Sequence, residues 1–464
     1  MNTRLKRIGM LGLGISMFAG FSAGNAQEAM QEKETLLNAP PVFVGDMQGP
    51  PPGGMASPKN ISSFKGAYMI EGAKGEVIGK SISVNESDKN GILIKNGAQL
   101  TLENVRLNKS GHTTSDDGSN FNGQNAVFLA AGNSIAQICD SELRSDSEGA
   151  NAIFATGSKT KVTVKNVKIH TTANSSRGLD ATYNGTILAD NVYIITEGAH
   201  CAPVATDRGE GTIVVTKAVL SANGEGSPCV YSTGNITIND SIGTAAGSEC
   251  AVVEGKNSIT LNKTSLTGSV KNGVMLYQSF SGDADTGKAR FWAKDSALTS
   301  KAAGAMFYIT NTQAEAVLEN TNLKFSSGVL AEVTSDRWGK TGANGGDFSL
   351  TGIRQELAGD ILANSISTVT VNLTQNTKLE GAVNKENTAK KAALLLDASS
   401  SWNVTADSYV TVFKDADQRF NNIKTNGHTI YYSIDEKENS WLGGQTYQLS
   451  DGGKLTPYTK TISY

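Results

Sequence analysis

The chain has 464 residues, a formal net charge of −3, 50 glycines, 9 prolines and only 6% aromatic residues. A near-neutral, slightly acidic balance gives no electrostatic case for a nucleic-acid partner, and four cysteines are too few for a disulfide framework. What remains is a chain rich in turns, with a core of small and β-branched residues.

Residues 1–26 read as an export signal. Arg4, Lys6 and Arg7 precede an apolar run from Ile8 to Phe21, and small residues stand at Gly24 and Ala26, the layout of a secretory signal peptide cleaved after Ala26. The run falls short of the roughly 20 residues that span a bilayer, and no later segment is apolar enough, so no membrane span is expected. Losing three positive charges takes the net charge from −3 to −3 − 3 = −6. The expected location is secreted or cell-surface, with the periplasm as the alternative. Residues 27–62, which include PPVFVGDMQGPPPGGMASP, have the Pro/Gly content of a flexible lead-in.

From Ser63 onward a short pattern recurs: apolar, any, Asn or Asp, any, any, apolar. It appears as LENVRL, ICDSEL, VKNVKI, ADNVYI, VTKAVL, INDSIG, LNKTSL, AKDSAL, LENTNL and TQNTKL, with third residues Asn104, Asp140, Asn166, Asn191, Lys217, Asp240, Lys263, Asp295, Asn320 and Asn376. Spacings in the middle are 26, 25, 26, 23 and 23 residues, and the final gap of 56 fits two turns with a degenerate copy at LTGIRQ. A second apolar run of strand length precedes each copy (GILIK, AVFLA, AIFAT, GLDAT, APVAT, CVYST). Strand-like runs repeating at this interval predict an all-β parallel β-helix, one coil per repeat, with every strand paired above and below. About eleven coils at about 4.8 Å each make a rod of roughly 50 Å. Residues 63–384 form this solenoid. Residues 385–464, where the period breaks and aromatics enter, are expected to be a capping β region, because an open end is an aggregation template. No membrane-barrel domain is expected after it, so the chain does not read as a complete autotransporter.

On the rungs SSRGLDATYNGTI, CAPVATDRGEGTI, GEGSPCVYSTG and AVVEGKNSITL, the chain resembles the right-handed parallel β-helix superfamily of the pectate-lyase-like kind, and within it secreted, adhesin-like bacterial proteins. The resemblance covers roughly residues 91–384. It implies right-handedness, which agrees with the general bias of parallel crossovers, and it admits both binding and polysaccharide-cleaving activities.

The repeated Asn/Asp position suits turn chemistry better than a metal ladder, since Lys217 and Lys263 share its column. Aligning the first strands puts Cys201 and Cys250 two coils apart, roughly 9.6 Å, beyond the reach of a disulfide. Buried, small apolar cysteines are expected rather than a bridge, with Cys201–Cys229 as the pair to check.

Arg177, Asp180, Asp207, Arg208 and Glu254 fall on neighbouring coils and form the candidate catalytic set: a base with acidic residues, as polysaccharide lyases of the resembled fold combine them. Solvated turn charges are the competing reading. The same alignment places Asp180 in a column with Phe128, Phe154, Tyr231 and Phe307. If that column faces outward, its aromatics form a ligand-binding stripe. Three inserts, His112–Asn122, Gln278–Lys288 and Thr334–Gly346, extend otherwise regular rungs, and insertions in repeat proteins tend to fall on the binding face. Phe121 and Trp338 would be contacts at their tips, and Asp116, Asp117, Asp283 and Asp285 could hold calcium; no other cofactor is expected. The leading expectation is an exported, adhesin-like binder of a glycan or surface protein. The alternatives are a lyase or hydrolase acting on an acidic polysaccharide, and a structural rod.

Overall fold

The computed structural model describes residues 61–459; the expected signal peptide and the expected lead-in as far as residue 60 lie outside them. Each coil carries up to three strands, and most strands pair in parallel with their equivalents in the coils before and after. The first face is a single twelve-stranded sheet, called sheet A here, running from Lys65–Glu71 to Asp360–Ala363. The second face, and the third face as far as Asn322–Lys324, belong to one long wrapped sheet. This is the predicted parallel β-solenoid, with about 16 turns rather than eleven. The shortfall has a local cause: parallel pairing continues through Lys391–Leu396 and Val412–Asp415, on coils that do not carry the recurrent pattern.

The recurrent Asn/Asp position is the corner between the second and third faces. All ten of its residues have positive φ, from 47° at Asp240 and Asn320 to 65° at Asn376, and the degenerate copy supplies Arg354 at 49°. A left-handed residue bends the strand sharply without a loop, and Asn and Asp are the non-glycine residues that tolerate it best. Amide side chains then stack from coil to coil. Asn166 Nδ2 donates to Asp140 Oδ1 at 2.9 Å, Asn191 Nδ2 to Asn166 Oδ1 at 2.8 Å, and Asn320 Nδ2 to Asp295 Oδ1 at 2.7 Å.

The bore is packed with columns of aliphatic residues. One column runs Ile92, Phe128, Ile153, Leu179, Val204, Val230, Ala251, Val274, Phe307, all of it fully buried. This corrects the aligned columns of the sequence reading. Phe128 and Phe307 do not share a column with Asp180; they are level with Leu179 and point into the bore, where Phe307 packs against Phe291 and Phe348. Turns before the first strand vary by one residue, so counting from them slips the register, and one residue of slip exchanges inside for outside.

The cysteines follow the same correction. Cys201 is level with Ser227, whose Oγ accepts its backbone N–H at 2.8 Å, and all four thiols are free. A buried Cys201 with carbonyl partners at Ala173 and Ala199 behaves as a small core residue.

The corner argument is testable. Asn166→Val places a β-branched residue in left-handed backbone and should cost about 1–3 kcal/mol in urea unfolding, whereas Asn166→Gly should cost less. Equal losses would mean that the amide ladder, not the backbone, dominates the corner.

Candidate functional site

Side chains alternate along the strands of sheet A, so the residues beside the bore column face outward. That outward column runs Leu93, Leu129, Phe154, Asp180, Ala205, Tyr231, Val252, Met275, Tyr308, Glu332. In a bare solenoid it would be solvent-exposed. Here much of it is covered, because the three inserts seen in the sequence fold back onto this one face.

The first insert carries a short helix, α1 (Asp116–Asn122), capped at Ser115, whose side chain accepts from the Gly118 N–H. It ends at Gly123 with φ 74°, where a Cβ would lie 2.6 Å from Leu129 and 2.7 Å from Phe154. The glycine is therefore required twice, by its backbone and by the closeness of the sheet. Beneath it Leu93, Leu129, Phe154, Ala126 and Phe64 form a small second core outside the bore.

Beyond that core the face turns polar. The Arg177 side chain, 12% exposed, lies between two buried acids: Nη2 is 2.9 Å from Asp207 Oδ2, and Nη1 is 3.8 Å from Asp180 Oδ2. Its Nη1 also donates to Asn120 of α1 at 2.9 Å, and Asn151 Oδ1 holds its backbone N–H at 2.8 Å. Asp180 is fully buried and Asp207 is 3% exposed. Neither Asp180 oxygen has a hydrogen-bond partner among the described residues, and the contact from Arg177 to Asp207 Oδ2 is close but outside hydrogen-bond geometry. Two carboxylates facing one guanidinium in a dry site are one charge short. Burial pushes both acids up, against the pull of Arg177; the Asp207 charge adds to the rise at Asp180, and Asp283 and Glu254 add to it at Asp207, which reaches about 7.

Glu254, 1% exposed, is one coil further from Tyr231. The phenols of Tyr231 and Tyr277 donate to its Oε2 at 2.6 and 2.8 Å, and the hydroxyl of Ser279, in the second insert, donates to Oε1. Burial raises its pKa and these three hydroxyls oppose the rise. Arg208 ties two inserts together. Its guanidinium carbon lies 3.8 Å above the Phe121 ring of α1, and Nη2 is 2.7 Å from Asp283 of the second insert. Lys256 bridges Glu210 at 2.6 Å and Asp285 at 2.9 Å. In the third insert Trp338 packs on Tyr277 with ring centroids 5.7 Å apart, and the Tyr308 hydroxyl donates to Asp336 at 3.1 Å.

The structure thus brings Arg177, Asp180, Asp207, Arg208, Glu254, Phe121, Asp283, Asp285 and Trp338 to one face. Phe121 and Trp338 are half-buried anchors holding their loops down, not projecting tips. Asp283 and Asp285 are in ion pairs with Arg208 and Lys256, while Asp116 and Asp117 stand in the first turn of α1. Among the described residues no group of three or more His, Cys, Asp or Glu is disposed to hold a metal. Of the aromatic stripe, Phe154 is outward but covered and Tyr231 is half-buried, its phenol turned to Glu254. Met275 and Tyr308, also half-buried, extend it. Asn120, Tyr277, Ser279 and Tyr308 were missed by the sequence reading. A corrected register would have found Tyr308, beside Phe307 on the outward phase; the other three depend on how the inserts fold.

Arg177→Ala should destabilise the protein by about 3–5 kcal/mol by stranding two buried acids. Adding Asp180→Asn and Asp207→Asn should recover most of that loss in denaturant unfolding. For Asp207 the folded pKa lies above the unfolded value of about 3.9, so the folded state holds more protons between these values. Stability should therefore fall as pH rises from about 4 to about 7 and then level, with a slope of up to about 1.4 kcal/mol per pH unit for one proton. Asp207→Asn should flatten that slope in urea titrations at stepped pH.

No family model, curated protein or solved structure matches this chain; its functional reading rests on the geometry of this face.

Proposed function

We propose that the protein is an exported, adhesin-like β-solenoid that binds a glycan or another cell-surface component through the loop-covered face of sheet A. One observation carries this reading. The acids suited to bond cleavage, Asp180, Asp207 and Glu254, are sealed beneath the inserts, while Tyr231, Met275 and Tyr308, further along the outward column that holds Asp180, keep part of their surface in solvent. An acid that touches no solvent cannot exchange protons with a polymer lying on the surface. Partly exposed aromatic and thioether side chains on a rigid sheet are suited to contact with a partner. The charges under the inserts position the loops that frame the stripe.

A cleaving enzyme is the second reading, favoured by the raised protonation of Asp207 beside Arg177. It requires the inserts to leave the face.

The readings separate in two assays on the intact chain. Incubation with a panel of acidic and neutral polysaccharides should release no reducing ends and no unsaturated uronides. Immobilised glycans and surface extracts should retain the protein, and Tyr231→Ala or Tyr308→Ala should weaken retention by about tenfold, or about 1.4 kcal/mol. Turnover abolished by Arg177→Ala would overturn the binding reading.

A further inference from the structure

A second concavity lies on the third face, and the coil lengths explain it. The third-face strand Asn322–Lys324 pairs below with Ala297–Ser300, but no ladder joins it to the corresponding strand of the next coil, Glu356–Ala358. That strand instead starts a separate four-stranded sheet with Lys378–Glu380, Ser401–Asn403 and Ile423–Lys424. Before the break, residues 325–328 connect the third face to sheet A; after it, Gly359 alone does so. With φ 109°, and with Gly328 O and Leu330 N each 2.9 Å from any added Cβ, this position admits only glycine. The shorter corner coincides with this break in the third-face ladder. At the break Gln355 replaces the missing backbone pairing: its Oε1 accepts the Thr321 N–H at 2.8 Å and its Nε2 donates to the Thr321 carbonyl.

The recess above the four-stranded sheet is a groove of about 1100 Å³, slightly larger than the usual small-molecule site of about 300–1,000 Å³. It crosses successive strands and so runs along the solenoid axis, with rungs about 4.8 Å apart. Its floor has two columns, Glu356–Lys378–Ser401 and Ala358–Glu380–Asn403–Lys424. Seven of its twenty lining residues are Asn or Gln. The charges nearly cancel: Arg354, Lys378 and Lys424 against Glu356 and Glu380, with Glu356 and Lys378 paired at 3.5 Å. Asn426 Nδ2 is held by Asn403 Oδ1 at 2.8 Å. The Asn422 Oδ1 acceptor is buried without a partner. Phe325, half-buried, supplies an apolar wall at the break.

We infer that this groove is a binding site for a linear, neutral, hydroxyl-rich oligosaccharide lying along the solenoid axis. Amides each offer donors and an acceptor, which matches hydroxyl groups and does not select for charge. A near-zero local charge disfavours an acidic polymer. The rung spacing and the length of the groove fit a chain of several sugar units, and the Phe325 wall suits the apolar face of a ring. The site lies on a different face from the stripe on sheet A, so it goes beyond the reading proposed above.

The test is calorimetric titration of the full chain with neutral linear hexaoses (cello-, manno- and β-1,3-gluco-) and with an oligogalacturonate. At least one neutral hexaose should bind, more tightly than its disaccharide, with affinity unchanged between about 0.05 and about 0.5 M salt. Asn403→Ala and Lys424→Ala, both at the surface of the floor, should each weaken it by about tenfold, with circular dichroism and melting unchanged. Tyr308→Ala should leave it intact, which separates this site from the sheet A stripe. No hexaose binding, binding only of oligogalacturonate with strong salt dependence, or binding untouched by either floor variant would overturn the inference.

Discussion

Everything in this molecule depends on the requirement that each strand find its equivalent one coil away, in register. A parallel ladder satisfies backbone groups only when every turn of the chain returns to the same azimuth at the next level. The left-handed corner at Asn104, Asn166, Asn191 and their equivalents meets that requirement in one residue. At Asn166, Asn191 and Asn320 the amide also bonds to the Asn or Asp one coil back, so one residue type serves the backbone angle and the stacking together. Lys217 and Lys263 adopt the same angle without the amide, which shows that the backbone demand comes first.

Because the ladder is rigid, variation is confined to the connections between strands. Three connections are long, and all fold onto the outer face of sheet A. They change that face from a solvated sheet surface into a partly dry one. Arg177, Asp180, Asp207 and Glu254 would be ordinary solvated residues on a bare coil. Covered, they become a coupled charge group whose protonation is tied to folding. A shortened connection has the opposite effect. At Gly359 the chain cuts the corner, the third-face ladder breaks and a groove opens. Length changes at equivalent corners thus build a covered surface on one side and a recess on another without disturbing the bore.

The repeat was legible because αL corners select Asn and Asp, and because buried strands select β-branched residues; both constraints act on each residue locally. The same local signal located the inserts, as interruptions of the period. Register was not legible. Phe128 and Leu129 are adjacent and both apolar, and composition cannot tell which faces the bore when both faces are dry. The column alignment of Cys201, Cys229 and Cys250 slipped for the same reason, although their reading as buried, unbridged residues holds. The groove was invisible because its residues, Gln355, Asn403 and Asn422, read as turn amides like many others in the chain.

The sequence by itself determined the architecture: a parallel β-solenoid, its corner residues, the places where its coils are extended and the polar composition of Arg177–Glu254. Periodic short-range constraints repeat often enough to be read directly. Only the tertiary structure decided which neighbour of Leu179 lies in the bore, that three distant inserts share one face, and that Asp180 and Asp207 face one arginine out of water. Those outcomes depend on the summed length of each coil and on contacts between segments far apart in the chain, which no single repeat encodes.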